Sequence, residues 1–459
     1  LSNNSLYRQI PKMDELLHLF DPQQYKRDIL KFCINKILAT TRKNIASGYI
    51  GYIDKTLLVK QIQQYYSSFL KGSLEEIINA TGIVIHTNLG RAPLPQNILT
   101  NISEKITGYS NLEYDLNKGS RGDRYHHLSE YLEFLTGAES AVILNNNAAA
   151  VFLILNTFAK EKECLVSRGE LVEIGGSFRI PEVMSNSGAF LKEVGTTNKT
   201  KISDYENAVS DKTAMIMKVH KSNYVIKGFT EEPSLSEITQ KAKQMGIFSY
   251  YDLGSGILTQ RYNTFCDEKD VKKIVDSDFD LISFSGDKLL GGVQAGIVLG
   301  RKHLVDKLKQ NQLMRMLRVD KITLAVLQEI LRMYVKENED DITTINLLNT
   351  SNTELGKKAE ELKKIVESKI SQSKISIEIE DVITYTGGGS CPMQDIHSKA
   401  LVVKNIGKNI SSVENNLRQY NIPIICRVSG NKLYFDVRTI FEKQFHELGE
   451  GLVWALRVS

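Results

Sequence analysis

The chain has 459 residues, 42% of them hydrophobic and 24% charged, an ordinary globular composition that excludes wholesale disorder. At ~150 residues per domain, this length suggests two or three domains with cores that need no disulfide staples. The formal charge is only +4, but residues 1–73 carry eleven Lys or Arg against five Asp or Glu, so that segment is +6 and the remainder −2.

The first seventy residues read as helical. In PKMDELLHLF, Leu16, Leu17 and Phe20 are spaced for one apolar face, and Asp21–Pro22 marks a helix end with a new cap. Gly48, Gly51 and Asp54 interrupt the pattern before KTLLVKQIQQYYSSFLKG, which predicts a helix ending at Gly72. A helical module over residues 1–72 follows. Its basic residues include Lys26, Arg27, Lys31, Lys36, Arg42 and Lys43, several at near-helical spacing. Two readings stay open, a solvated helix face or a nucleic-acid surface, where each neutralised phosphate releases condensed counterions.

From about residue 140 the pattern changes to short apolar runs. These predict strands at 140–144, 163–167, 189–194, 214–220, 247–253, 281–286 and 295–300, with helices such as 124–137 and 234–246 before or between them. Such alternation implies an α/β domain with a mainly parallel sheet, assigned to residues 73–320. Ligands of such sheets lie beyond the carboxyl ends of strands, so polar residues there take priority. Residues 321–459 read as an α+β domain. Helices fill 320–370, strands are predicted near 375–381, 385–390, 399–405, 422–428 and 432–439, and a last helix at 441–456.

The five cysteines, Cys33, Cys164, Cys266, Cys391 and Cys426, form no CxxC pair. That excludes a cysteine-based zinc ribbon and fits a reducing compartment. His126 and His127 are adjacent and do not face one way on a helix, so no metal site is expected. With neither a charged-then-apolar leader nor an apolar run of spanning length, the expected location is cytoplasmic.

The most informative segment is SFSGDKLLGGVQAG, residues 283–296, where Lys288 follows an apolar strand and precedes Gly291–Gly292. A lysine there is either an exposed loop residue or, where its surroundings favour the neutral amine, a Schiff-base former. Ser285-x-x-Lys288 also matches the S-x-x-K of penicillin-recognising enzymes, but no K-T-G follows. Asp252, in YYDLGSG, ends the preceding apolar strand. Pyridoxal phosphate requires a lysine and a carboxylate at its pyridinium nitrogen, and these two residues supply both from nearby strand ends. Asn145, Asn146 and Asn147 open an Ala-rich helix, whose amides would face an anion; an Asn-rich turn with a cap is equally consistent.

Several long segments carry a resemblance. NATGIVIHTNLGRAPL, SRGDRYHHLSEYLEFLTGAE, NNNAAAVFLILNT, SRGELVEIGGSFRIPEVM, VGTTNKTKISDYENAV, VHKSNYVIKGFT, YYDLGSG and SGDKLLGG resemble bacterial selenocysteine synthases, the L-seryl-tRNA(Sec) selenium transferases. The opening LYRQIPKMDELL is similar to that family's N-terminal module, so the resemblance runs from about residue 6 to the end. It implies an aspartate-aminotransferase-like (fold type I) α/β large domain binding pyridoxal 5'-phosphate, with a C-terminal α+β domain and a small helical tRNA-binding domain. The implied assembly is a homo-oligomer, a ring of dimers forming a decamer. The implied reaction converts seryl-tRNA(Sec) to selenocysteinyl-tRNA(Sec) with selenophosphate, through an aminoacrylyl-tRNA intermediate. The alternative is a related lyase acting on a small amino acid or amino-sugar acid.

Carried over by residue, the resemblance makes Lys288 the Schiff-base lysine and Asp252 the pyridinium partner. It places Asn146, Asn147 and Ala148 near the cofactor phosphate. Ser285 and His220, near strand ends, are read as lining the cofactor pocket; for His220 a satisfied core histidine is equally consistent. Arg91, Arg315 and Arg318 match positions that bind the selenium donor's phosphate; for each, a surface salt bridge is the rival reading. Asp287 either assists proton transfer or caps a turn. Two departures stand out: Val293 where the family has Pro in GGPQAG, and Cys391 with a polar continuation where an apolar residue and Pro are usual.

Overall fold

The computed structural model describes residues 3–174, 178–261, 270–370, 375–391 and 394–458; Cys266 lies outside them. The chain divides into two compact units, Leu1–Ile77 and Ile78–Ser459.

The first unit is helical, with helices Asn3–Gln9, Met13–Leu17, Arg27–Ala46 and Lys55–Lys71. Asp54 starts the last of these by accepting from the amides of Thr56 and Leu57 at 2.8 and 3.1 Å. Gly72, at φ 86°, ends it. Leu16, Leu30, Ile34, Leu38 and Ile62 form its core. Tyr66 closes the helix pair by accepting the Lys26 amide at 2.9 Å. Lys26, Arg27, Lys36, Arg42 and Lys43 are exposed, and Lys31 is half-buried.

The second unit holds two main sheets, with strands β1 Ile78–Ala80, β2 Ser140–Leu144, β3 Glu163–Ser167, β4 Phe190–Val194, β5 Thr213–Val219 and β6 Phe248–Gly254. They continue as β7 Leu281–Ser285, β8 Gly296–Gly300, β9 Ser376–Thr384, β10 Ile396–Lys404, β11 Ile424–Ser429 and β12 Lys432–Asp436. The larger sheet has seven strands in the order β2-β8-β7-β6-β5-β3-β4. All run parallel except β8, which is antiparallel to both neighbours. Every residue of β2, β5, β7 and β8 is buried. A sheet covered on both faces has no solvent side to mark with polar residues, so its strands appear as unbroken apolar runs. Alternate residues serve opposite cores: Ile143, Leu165 and Ile216 pack on one face, and Val142, Val166 and Met215 on the other.

The smaller sheet runs β1-β11-β12-β10-β9. Residues 78–80 enter it as a parallel strand beside β11, so chain from both ends of the unit builds it. Helices Asn352–Lys369 and Phe445–Val458 cover it through Leu355, Leu362, Leu448 and Leu452, which share a core with Phe435 of β12.

Two expectations are corrected. The strand predicted near 385–390 is a turn with an isolated Gly387–Ser390 bridge. Gly387, Gly388 and Gly389 sit at φ 85°, 64° and 66°, a left-handed run that no extended strand contains. Cys391 is disulfide-bonded while Cys33, Cys164 and Cys426 are free, so the expectation of a chain without disulfides does not hold at that position. Among the described residues, no helix is long and apolar enough to cross a membrane.

Candidate active site

Because β2, β5, β6 and β7 are parallel, their carboxyl ends meet along one edge, and each delivers a polar residue there. The ends supply the asparagine turn, His220, Asp252 and Lys288 respectively. Lys288 is 6% exposed and Asp252 5%, so the exposed-loop reading of the lysine does not hold.

Asp252 is held from three sides. Its Oδ1 accepts from Asn147 Nδ2 at 2.7 Å and from the Ser283 hydroxyl at 3.5 Å. Its carbonyl accepts the His220 amide at 2.9 Å. Tyr250 OH and Ser283 Oγ lie 2.7 Å apart, which steadies the serine. Burial pushes the Asp252 carboxyl up, against the Asn147 hydrogen bond and the charges of Lys288 and His220. A carboxylate buried this deeply is costly unless a cation shares its site.

The asparagine turn is shaped by its neighbours. Asn146 is extended, with its Oδ1 accepting the Ala149 amide at 2.8 Å, and the helix Asn147–Phe158 starts behind it. The Asn145 amide donates to the Leu317 carbonyl at 2.9 Å. On β8, a Cβ at Gly296 would lie 2.1 Å from the Asn146 carbonyl oxygen, so only glycine allows this approach. Ser285 pairs with Gly296 in register and therefore ends β7 beside the same turn. Asn147 Oδ1 is buried without a hydrogen-bond partner, and Ala148 next to it is half-buried. Asn146 takes up the Ala149 amide, and the N-terminus of this twelve-residue helix is a place where the remaining first-turn amides could meet an anion.

A second cluster adjoins Lys288. Arg91 Nη1 donates to Asp287 Oδ2 at 2.8 Å, and the Asp287 carbonyl accepts the Ala92 amide at 3.3 Å. Asp287 Oδ1 is buried without a partner. A cavity of about 410 Å³ opens here, lined in part by Thr87, Arg91, Asp287, Val293 and Gln294. The turn that carries Val293 closes through Gly286 N–H to the Ala295 carbonyl and Gly292 N–H to the Gly286 carbonyl, both at 2.9 Å.

The three expected arginines do not share one partner. Arg91 pairs with Asp287, Arg318 Nη1 lies 3.6 Å from Glu113, and Arg315 is exposed. Arg318 nevertheless flanks the asparagine turn, because it bridges Leu144 at the end of β2.

Other site residues escaped the sequence reading. Ser222, 2% exposed, borders Gly254, as Lys288 does. The glycine turn at 387–389 packs on the backbone of Ile85 on one side and, through Gly389, on Ser222 on the other. Buried Lys218 donates to Glu170 and, at 2.7 Å, to Glu232, beside a cavity of about 480 Å³ that His220 also lines. A lone cation inside the apolar run AMIMKVH was the available signal for that cluster.

A family model described as SelA: L-seryl-tRNA selenium transferase matches residues 77–441. A relative named L-seryl-tRNA(Sec) selenium transferase, from Aliarcobacter butzleri (strain RM4018), is 46% identical over 449 residues, covering 98% of both chains. One of the same name from Aquifex aeolicus (strain VF5) is 42% identical over 450 residues, again covering 98% of each. The structure of D-glucosaminate-6-phosphate ammonia-lyase matches with a TM-score of 0.58 at 20% identity, covering 84% of this chain and 96% of that one. That likeness concerns the fold, and the seven-stranded sheet with one antiparallel member is the fold type I sheet expected from the sequence.

Proposed function

The chain belongs to the L-seryl-tRNA selenium transferase family, and we propose that it converts seryl-tRNA(Sec) to selenocysteinyl-tRNA(Sec) with selenophosphate, using pyridoxal 5'-phosphate. The observation that carries this reading is the placement of Lys288 and Asp252, both buried, at the ends of neighbouring parallel strands. The residues present fit the cofactor. Asp252 is a buried carboxyl group held by Asn147 and Ser283, Asn147 Oδ1 is an orphaned buried acceptor, and a helix N-terminus with a glycine-enforced turn could take a phosphate.

Bound at this place, the cofactor would draw electrons from the seryl Cα, which makes its proton acidic and its β-oxygen able to leave. Lys288 Nζ would hold the cofactor and, once displaced by the seryl amine, take the Cα proton. Asp252 would hold the proton on the ring nitrogen, with Asn147 fixing the carboxylate. Asn146, Ala148 and Ser285 would seat the phosphate, and His220, tied to Asp252 through its backbone, would line the ring pocket. Arg91, oriented by Asp287, would meet the phosphate of the selenium donor together with Arg315 and Arg318, since arginine forks match phosphate oxygens. Asp287, next to Lys288 in sequence, would also assist proton transfer at the lysine.

The basic helical unit at residues 1–77 would read the tRNA by shape and phosphates, away from the reacting ester. A homo-oligomer built from dimers accounts for the exposed apolar residues beside the arginines, Met316 at 70% and Ile322 at 54% exposure. A cytoplasmic location follows from the tRNA substrate.

The test is the visible absorption spectrum of the cofactor-loaded enzyme during titration with seryl-tRNA(Sec), with free serine as control. The band of lysine-bound cofactor is expected to change only with the charged tRNA. A band that answers free serine and ignores the tRNA would move the assignment to a small-molecule lyase.

A further inference from the structure

Ser222 follows β5 closely, and its amide donates to the His220 carbonyl at 2.9 Å. That turn lays the side chain over β6, between two glycines. A Cβ on Gly254 would lie 3.9 Å from both Ser222 Oγ and Lys288 Nζ, and a Cβ on Gly389 would lie 3.5 Å from Ser222 Oγ. Both glycines have positive φ, 79° and 66°, so neither position accepts a side chain without strain. The absent side chain at Gly254 therefore leaves a notch about one methyl wide. The lysine amine and the serine hydroxyl both border it.

Building on the function proposed above, we propose that Ser222 holds the β-oxygen of the seryl group as that oxygen leaves. A hydroxymethyl group matches the notch in size, and its oxygen would accept from Ser222 Oγ. In the step itself, Lys288 Nζ takes the proton from Cα, and the electron pair of that bond becomes the second bond between Cα and Cβ. The Cβ–O bond breaks with its pair going to oxygen, which takes a proton back from Lys288 Nζ and departs as water. The Ser222 hydroxyl hydrogen-bonds the oxygen while charge develops and keeps its own proton. Lys288 ends neutral, and no oxidant or reductant is required.

A positioning role of this kind separates from a structural one by the leaving group. The holoenzyme carrying Ser222→Ala is compared with wild type for the lysine-bound cofactor band, for seryl-tRNA affinity, for solvent deuterium uptake at Cα, and for water loss without selenium donor. The expected result is an unchanged band, affinity and deuterium uptake, with water loss slowed about 100-fold, the usual effect of removing a donor to developing negative charge. Ser222→Thr, which keeps the hydroxyl, is expected to recover part of that rate. β-Chloroalanyl-tRNA, whose chloride needs no donor, is expected to react with the Ala variant within about threefold of wild type. Unchanged water loss in Ser222→Ala would overturn the assignment. Equal slowing with the chloro substrate, or a lost cofactor band, would overturn it too, as a packing or cofactor-binding residue. Wild-type enzyme that fails to release water from seryl-tRNA would instead overturn the parent function.

Discussion

Asn147 Nδ2 donates to Asp252 Oδ1 at 2.7 Å, so the first residue of the helix Asn147–Phe158 also fixes the carboxylate that lies near the end of β6. One asparagine thereby couples the helix start to β6, the two ends of the proposed cofactor pocket. Removing it leaves the buried carboxylate with one donor fewer, which raises the cost of its charge.

Asn147→Ala should therefore weaken pyridoxal phosphate binding about tenfold, the equivalent of one charge-assisted hydrogen bond in a dry site. Equilibrium titration of the apoenzyme, followed by the absorbance of the bound cofactor, measures this. Wild-type affinity in the variant would mean that Asp252 is held adequately by Ser283 alone.

Gly296→Ala makes a sharper demand on the same turn. The added Cβ would stand 2.1 Å from the Asn146 carbonyl oxygen, and that oxygen belongs to backbone that cannot swing away. Either β8 or the asparagine turn must move, at a cost of about 2–4 kcal/mol. Both a lower thermal midpoint and lost cofactor binding are expected. A variant that melts and binds as wild type does would show that the close approach is not required.

The large sheet was legible because burial on both faces turned its strands into apolar runs, and the Lys288–Asp252 pair because both residues lie at strand ends. Other features were hidden for physical reasons. The glycine turn at 387–389 resembles a weak strand until its positive φ angles are seen. Lys218 finds its partners Glu170 and Glu232 48 and 14 residues away, a separation that no local period records. Ser222 matters only through what Gly254 and Gly389 lack, and a missing atom leaves no mark on a hydropathy pattern. The acidic partners of two of the arginines, Asp287 for Arg91 and Glu113 for Arg318, lie far away in sequence, 196 residues in the case of Arg91, and leave no local pattern there.

Asp287→Asn should act on the selenium donor and not on the cofactor. The carboxylate holds Arg91, which sits at φ 62° in a conformation that non-glycine residues rarely adopt, and loss of that charge frees the guanidinium. The expected outcome is an intact cofactor band and a KM for selenophosphate raised about tenfold. An unchanged KM would detach the Arg91–Asp287 pair from donor binding.

The Glu170–Lys218–Glu232 cluster sets an acid limit. One ammonium serves two carboxylates; burial pushes Glu170 up and also opposes the charge on Glu232, but Lys218 and Lys221 prevail there and hold Glu232 down to about 2. A depressed carboxyl stabilises the fold fully above its unfolded pKa of 4.5 and loses that contribution as pH falls toward 2. With the Glu232 side chain 48% exposed, solvent screening leaves a contribution of about 1–2 kcal/mol. Glu232→Gln should thus lower stability near neutral pH and flatten the loss between about pH 4.5 and 2 in urea titrations. Parallel curves for variant and wild type would refute the assignment.

The N-terminal unit offers the cleanest separation of chemistry from recognition. Its core residues, among them Leu16, Ile34 and Ile62, pack with one another and belong to none of the cores of residues 78–459. Deleting residues 1–77 removes one compact unit and leaves the other intact, so the cofactor band and its response to a small β-substituted amino acid should persist. Selective binding of seryl-tRNA(Sec) should not. Lys26, Arg27, Lys36, Arg42 and Lys43 are exposed and go with the deletion, so the salt dependence of tRNA binding should fall as well. Every phosphate that is no longer neutralised reduces the slope of log K against log salt by roughly 0.7–0.9. Substituting these five residues by Gln in the full chain controls for shape: a reduced slope with retained preference for tRNA(Sec) would assign them to phosphate binding and leave selectivity to the fold of the unit. Should the truncated enzyme discriminate tRNA(Sec) as well as the full chain does, recognition would have to lie within residues 78–459, and the basic helices would be no more than a solvated face.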